Sequence, residues 1–147
     1  MDSEIERLVR EYNVMVVFGD IETQGYVAYS ETLGGQPVIF INENLSEQER
    51  HLVILHELGH VALDRCDRCL YNRTNAMKLK MECYADTFMI ERLVRYNLKG
   101  VDIVPEAFNY LDFMEQVGIP SKDESIVKEV VRKYLSENEF LDMENLG

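Results

Sequence analysis

Apolar residues recur along this chain with two different periods, and the change of period divides it. Ile5, Leu8, Val9 and Tyr12 follow helical spacing behind a Ser3–Glu6 capping box, which predicts a first helix ending near Tyr12. Val14 to Phe18 is then a β-branched, apolar run and predicts a strand. Gly25 to Ser30 alternates weakly and is rich in aromatic residues, and Pro37 to Asn42 is a third apolar run. Gly19-Asp20 reads as a turn and Gly34-Gly35 as a hairpin connection. Together these predict a small antiparallel sheet of about three strands.

The helical period returns at Ser46. Ser46 and Glu49 form a second capping box, and Leu52 to Leu63 is apolar on nearly every face, so a buried helix is predicted from about Ser46 to Leu63. Asp64 to Asn75 is polar and reads as a loop. A long helix follows from about Ala76 to Asn97, with Leu79, Glu82, Asp86, Met89 and Leu93 on one stripe. Pro105 suits the first position of a helix that continues to about Val117, where Gly118 and Pro120 stop it. Ser121 with Glu124 predicts a last helix to Leu135. The fold class is α+β, a small sheet packed on a mostly helical body.

The buried helix carries His56-Glu57-Leu58-Gly59-His60. Residues four apart share a helix face, so His56 and His60 point two imidazoles at one spot. That geometry suits a zinc ion, which accepts neutral imidazole nitrogen. Glu57, about 100° round the helix, is placed to reach a water on the metal and act as a general base. Satisfied core histidines are the plain alternative, but two histidines and a glutamate in an apolar helix need partners, and a metal provides one for both rings.

A catalytic zinc has three protein ligands. Asp64, one turn past His60, is one candidate and is also an ordinary helix-end aspartate. Glu82 and Asp86 are the better pair: they lie four apart on one face of the next helix. One can ligate the metal, and the other can accept the outer N–H of a ligating histidine. Cys66-x-x-Cys69 offers a second-metal or redox reading, but a closed site needs a second ligand pair, and only Cys83 and His51 remain for it; the plain alternative is two ordinary thiols in a loop.

Composition narrows the partners. The formal charge is −12, which repels phosphate and argues against direct nucleic-acid binding; a basic protein partner suits the surface better. Residues 136–147 are acidic, without Lys or Arg, and read as a flexible tail on a single domain spanning 1–147. The acidic, amphipathic start is no signal peptide, the odd number of cysteines points to reduced thiols, and no apolar run is long enough to span a membrane. A cytoplasmic protein is expected.

With H-E-L-G-H and then Glu82-x-x-Ala85-Asp86-x-Phe88, the chain resembles the ImmA/IrrE family of small zinc metallopeptidases, which are commonly encoded by phages and other mobile elements or act as stress regulators. The likeness runs from the strands to about Leu93 and extends to the wider gluzincin pattern of a Glu ligand with an Asp four residues on. Phe88 is followed by Met-Ile-Glu-Arg-Leu-Val where relatives often end in a proline-containing segment. The resemblance implies a zincin-like fold and a zinc held by His56, His60 and Glu82. It also implies Asp86 behind a ligating histidine and Glu57 activating the zinc-bound water. The implied substrate is a DNA-binding, helix-turn-helix repressor. The competing reading keeps zinc as a structural element, in a binding module or toxin-like partner that inactivates a repressor or antitoxin without cutting it.

Overall fold

A computed structural model describes residues 3–32, 34–65 and 75–145, with side chains for all of these except 65, 75–77 and 138–145. The Cys66 and Cys69 pair lies outside the described residues. Two compact units make up the chain, Met1–Met89 and Ile90–Gly147.

The first unit is α1 (Ser3–Glu11), β1 (Met15–Gly19), β2 (Gly25–Ser30), β3 (Gln36–Asn42), α2 (Glu47–Arg65) and the greater part of α3 (Asn75–Asn97). The three strands are ordered β1-β3-β2. β2 and β3 form the antiparallel hairpin that Gly34-Gly35 predicts, closed by the Gly35 N–H on the Ser30 carbonyl at 2.7 Å. β1, however, lies parallel to β3, so the sheet is mixed and not wholly antiparallel. The cause is the connection after β1. Asn42 Nδ2, at the end of β3, donates to the carbonyls of Ile21 and Thr23 at 3.1 and 3.2 Å. Residues 20–24 are thereby pinned across the end of β3, and β1 cannot fold back on β2. β3 takes the centre because its run is apolar on both faces: Val38, Ile39 and Ile41 are buried.

Register sorts the side chains. Val16, Ile39 and Val27 share one face with Phe18, Ile41, Gly25 and Tyr29. This face meets α2. A Cβ on Gly25 would stand 2.6 Å from Val53 Cγ1, and the Arg50 guanidinium lies over the Phe18 ring. α2 begins where its capping box says it should. The Glu49 N–H donates to Ser46 Oγ at 3.2 Å, and Ser46 Oγ donates to the Glu49 carboxylate at 2.9 Å. Ile54, Leu58 and Val61 of α2 are fully buried, and α1, which buries Ile5 and Leu8, packs on α2.

The second unit takes the last turns of α3, then a 3₁₀ turn at Pro105–Ala107, α4 (Tyr110–Val117) and α5 (Glu124–Asn145). The helix predicted from Pro105 is interrupted because Asn109 starts a new one, its Oδ1 accepting from the Asp112 N–H at 3.0 Å. α5 is entered through a 3₁₀ turn, Ser121–Asp123, and runs past Leu135 to Asn145. No glycine or proline falls between Ser136 and Asn145 to stop it. α4 packs on α5, and Phe113, Val127, Val131 and Leu135 are buried. Among the described residues, no helix is long and apolar enough to cross a membrane.

Candidate active site

The site begins with a helix crossing. At Gly59 an added Cβ would lie 2.8 Å from Ala85 Cα, 3.0 Å from Ala85 O and 3.1 Å from Phe88 Cβ. Only a residue without a side chain lets α2 and α3 approach this closely. Glu82 and Asp86, on either side of Ala85 along α3, are thereby brought against His56 and His60, on either side of Gly59 along α2. Gly59→Ala should therefore loosen the site. Alanine ordinarily favours a helix by about 1 kcal/mol over glycine, but overpacking here costs about 1–3 kcal/mol. The expected result is a less stable protein with weaker metal affinity, read by denaturant unfolding and metal titration. A variant more stable than the parent, with affinity unchanged, would show that the crossing tolerates a methyl group.

Three side chains converge above the crossing. His56 Nε2 is 3.1 Å from Glu82 Oε2, and His60 Nε2 is 3.0 Å from Glu82 Oε1. The ligand atoms of all three lie within 4.8 Å of one another. Among the described residues no other three His, Cys, Asp or Glu side chains converge in this way. The donor set fits a metal ion. The observed separations are close to those between neighbouring corners of a tetrahedron, roughly 3.4 Å for bonds of about 2.1 Å.

Asp86 is buried, and its Oδ1 accepts from His56 Nδ1 at 2.8 Å. Holding the proton on Nδ1 leaves the Nε2 lone pair facing the cluster. Burial alone would lower the His56 pKa, but the hydrogen bond it donates to Asp86, with the charges of Glu57, Asp86 and Glu82, outweighs it and raises the pKa. At His60 burial dominates and the pKa falls below the ordinary value. Glu57 stands beside the cluster, half-buried. Burial pushes its carboxyl up to about 7, against the pull of His56 and with help from the Glu82 charge. A carboxyl with that affinity for protons is suited to accepting and returning one near neutral pH.

The cluster opens into a cleft of about 470 Å³. Val27 and Tyr29 of β2 line it, with Glu57, His60 and Asp64 of α2 and Glu82 of α3. Asp64, the rival candidate for third ligand, is engaged elsewhere: its Oδ2 accepts the Tyr29 hydroxyl. Cys83 is exposed and stands apart from the cluster. Sequence reasoning missed Tyr29. Its one signal was the alternation of Gly25, Val27 and Tyr29 along the face of β2 that fronts the motif helix.

No curated protein and no solved structure matches the chain. The sequence pattern of the IrrE N-terminal-like domain, Peptidase_M78, matches residues 9–97, well over half of the chain. That stretch includes the sheet, the motif helix and the whole of α3, as the resemblance on H-E-L-G-H and Glu82-x-x-Ala85-Asp86-x-Phe88 implies. The chain belongs to this metallopeptidase family of IrrE N-terminal-like domains.

Proposed function

We propose that the protein is a zinc-dependent peptidase that cleaves a DNA-binding repressor protein. The observation that carries this reading is the convergence of His56, His60 and Glu82 with an unligated carboxylate, Glu57, beside them. A structural metal site has no use for a half-buried base at its edge. The three converging residues would hold the ion, which when bound polarises the carbonyl and acidifies water.

The chain's own residues do the rest. The cleft takes in a peptide carbonyl and a water molecule. Glu57 removes a proton from the water as its oxygen adds to the carbonyl carbon, and the C=O π pair moves to the carbonyl oxygen. The C=O bond then re-forms, the C–N bond breaks, and Glu57 returns the proton to the departing nitrogen. The products are a carboxylic acid and an amine, which at neutral pH become a carboxylate and an ammonium group as the acid's proton passes to the amine. Asp86 fixes His56 throughout and moves no proton. Among the described residues β2 is an edge strand, and it borders the cleft, so its backbone edge can take the substrate as an added strand.

The charge of −12 favours a basic protein over nucleic acid as the partner. Known members of the resembled family act on repressors of their own regulon, which supplies the substrate class. The test is co-expression with helix-turn-helix repressors encoded beside it, followed by a blot for fragments and a repeat in vitro with and without a chelator. Fragments that appear with the parent, stop on chelation and return with zinc support the reading. Derepression without fragments assigns the protein to the non-cutting, binding class instead.

A further inference from the structure

We infer that Tyr29 is a catalytic residue, whose hydroxyl donates a hydrogen bond to the substrate's carbonyl oxygen as that oxygen gains charge, and that Asp64 is the acceptor holding the hydroxyl between turnovers. The inference rests on the peptidase reading and adds to it a residue outside the family's motif.

The argument starts from what the cleft offers a developing oxyanion. Such an oxygen needs an O–H or N–H donor aimed at it from a prepared position. Of the side chains lining the cleft, Glu57, Asp64 and Glu82 are acceptors, and Val27 and Met81 are apolar. His60 is committed to the cluster. Among the described residues two donors are left, Tyr29 and Lys78. Lys78 is exposed on a long stem that would have to be ordered in every turnover. Tyr29 has a rigid ring, stands on a strand, and has its hydroxyl anchored on Asp64.

The anchor also places it. Asp64 follows His60 by one helical turn, so the acceptor is built on the face of α2 that carries the motif. It is close enough for its charge to bear on the His60 ring. Tyr29 projects from the α2-facing side of β2, the strand whose backbone edge can receive the peptide. Tyr29 and Asp64 also line a second cavity of about 290 Å³, beside Gly34, Gly35 and Gln36. Tyr29 and Asp64 thus line both cavities, and the hydroxyl stands where open volume meets the cleft.

A merely structural tie between β2 and α2 predicts something different, and three variants separate the two. Tyr29→Phe keeps the ring and removes the donor. Asp64→Asn keeps an acceptor oxygen. Lys78→Met removes the rival donor. Each is assayed on the cleaved repressor, and each is titrated calorimetrically with a phosphinic dipeptide, whose tetrahedral anionic centre imitates the attacked carbonyl. For Tyr29→Phe we expect kcat to fall about 100- to 1,000-fold, the loss typical of one oxyanion donor. KM, metal content and melting temperature should stay near the parent's, and the phosphinic dipeptide should bind at least tenfold more weakly. Asp64→Asn keeps an acceptor for the hydroxyl but loses the charge that holds it, so its kcat should fall by less than that of Tyr29→Phe, and Lys78→Met should keep kcat within a few-fold.

If Tyr29→Phe keeps its kcat and its hold on the phosphinic dipeptide, the inference is overturned and the peptidase reading stands. Equal losses of stability and KM in Tyr29→Phe and Asp64→Asn make the pair a structural tie and also overturn it. A 100-fold loss in Lys78→Met alone gives the role to Lys78. A parent that cleaves no repressor and binds no phosphinic dipeptide removes the peptidase reading, and this inference with it.

Discussion

Glu57→Gln is expected to yield a folded protein that keeps its metal and still binds its substrate, yet cleaves it at least about 100-fold more slowly. A positioned general base contributes about 10²–10⁴-fold to rate, and glutamine keeps the size of the side chain but cannot take the proton. Metal content should hold because Glu57 is outside the converging group of His56, His60 and Glu82. Stability of the metal-free protein should hold as well, and its sign can be worked out. Glu57 binds its proton more tightly in the folded chain, up to about 7 against an ordinary 4.5. Its ionised form therefore opposes folding as pH rises from 4.5, and fully above 7. Replacing it with a neutral amide removes that opposition, so at pH 8 the metal-free variant should melt no lower than the parent. If Glu57→Gln relieves repression as well as the parent while neither produces fragments, proteolysis is not the function.

Glu82→Ala should nearly abolish metal binding. Its two carboxylate oxygens face the Nε2 atoms of both histidines at 3.0 and 3.1 Å, so one substitution empties a third of the donor set. The side chain is half exposed, and its loss should hardly affect folding. Asp86→Asn should weaken affinity on the order of 10–100-fold, because Asp86 acts only through the His56 ring. Asp64→Ala should leave metal affinity nearly unchanged, since that carboxylate is bonded to Tyr29. Elemental analysis and competition titration read all three. Small and equal losses at Glu82 and Asp86 would mean that the third ligand has been assigned to the wrong residue.

The parts of this fold that were legible in the sequence are those fixed locally. The Ser46–Glu49 box and the four-residue spacing of His56 and His60 are decided within a few residues, and the structure places both as read. The hairpin at Gly34-Gly35 is of the same kind. What was not legible depended on distant partners. That β1 runs parallel to β3 is settled by Asn42 gripping the connection from β1, a contact across about twenty residues that no periodicity records. Leu79 illustrates another limit: it shares the stripe of Glu82 and Asp86, yet is 72% exposed. Spacing shows which residues lie on one face of α3 but not how far along that face a neighbour extends. Tyr29 was one of eight tyrosines, and only the fold brings its hydroxyl to Asp64.

The converging group draws His56 and His60 from one helix and Glu82 from another, joined at the crossing where Gly59 meets Ala85. A chain in which α3 has come away from α2 retains only two of the three donors. Ligation and folding are therefore thermodynamically linked. Binding that is confined to the native state stabilises it by RT ln(1 + [M]/Kd), about 2.7 kcal/mol when the free ion stands at 100 times its dissociation constant. That is a large fraction of what holds an ordinary domain together. For such a protein the supply of metal sets the number of molecules folded as well as the rate at which each one works, and starvation for the ion would thin the population before it slowed the survivors.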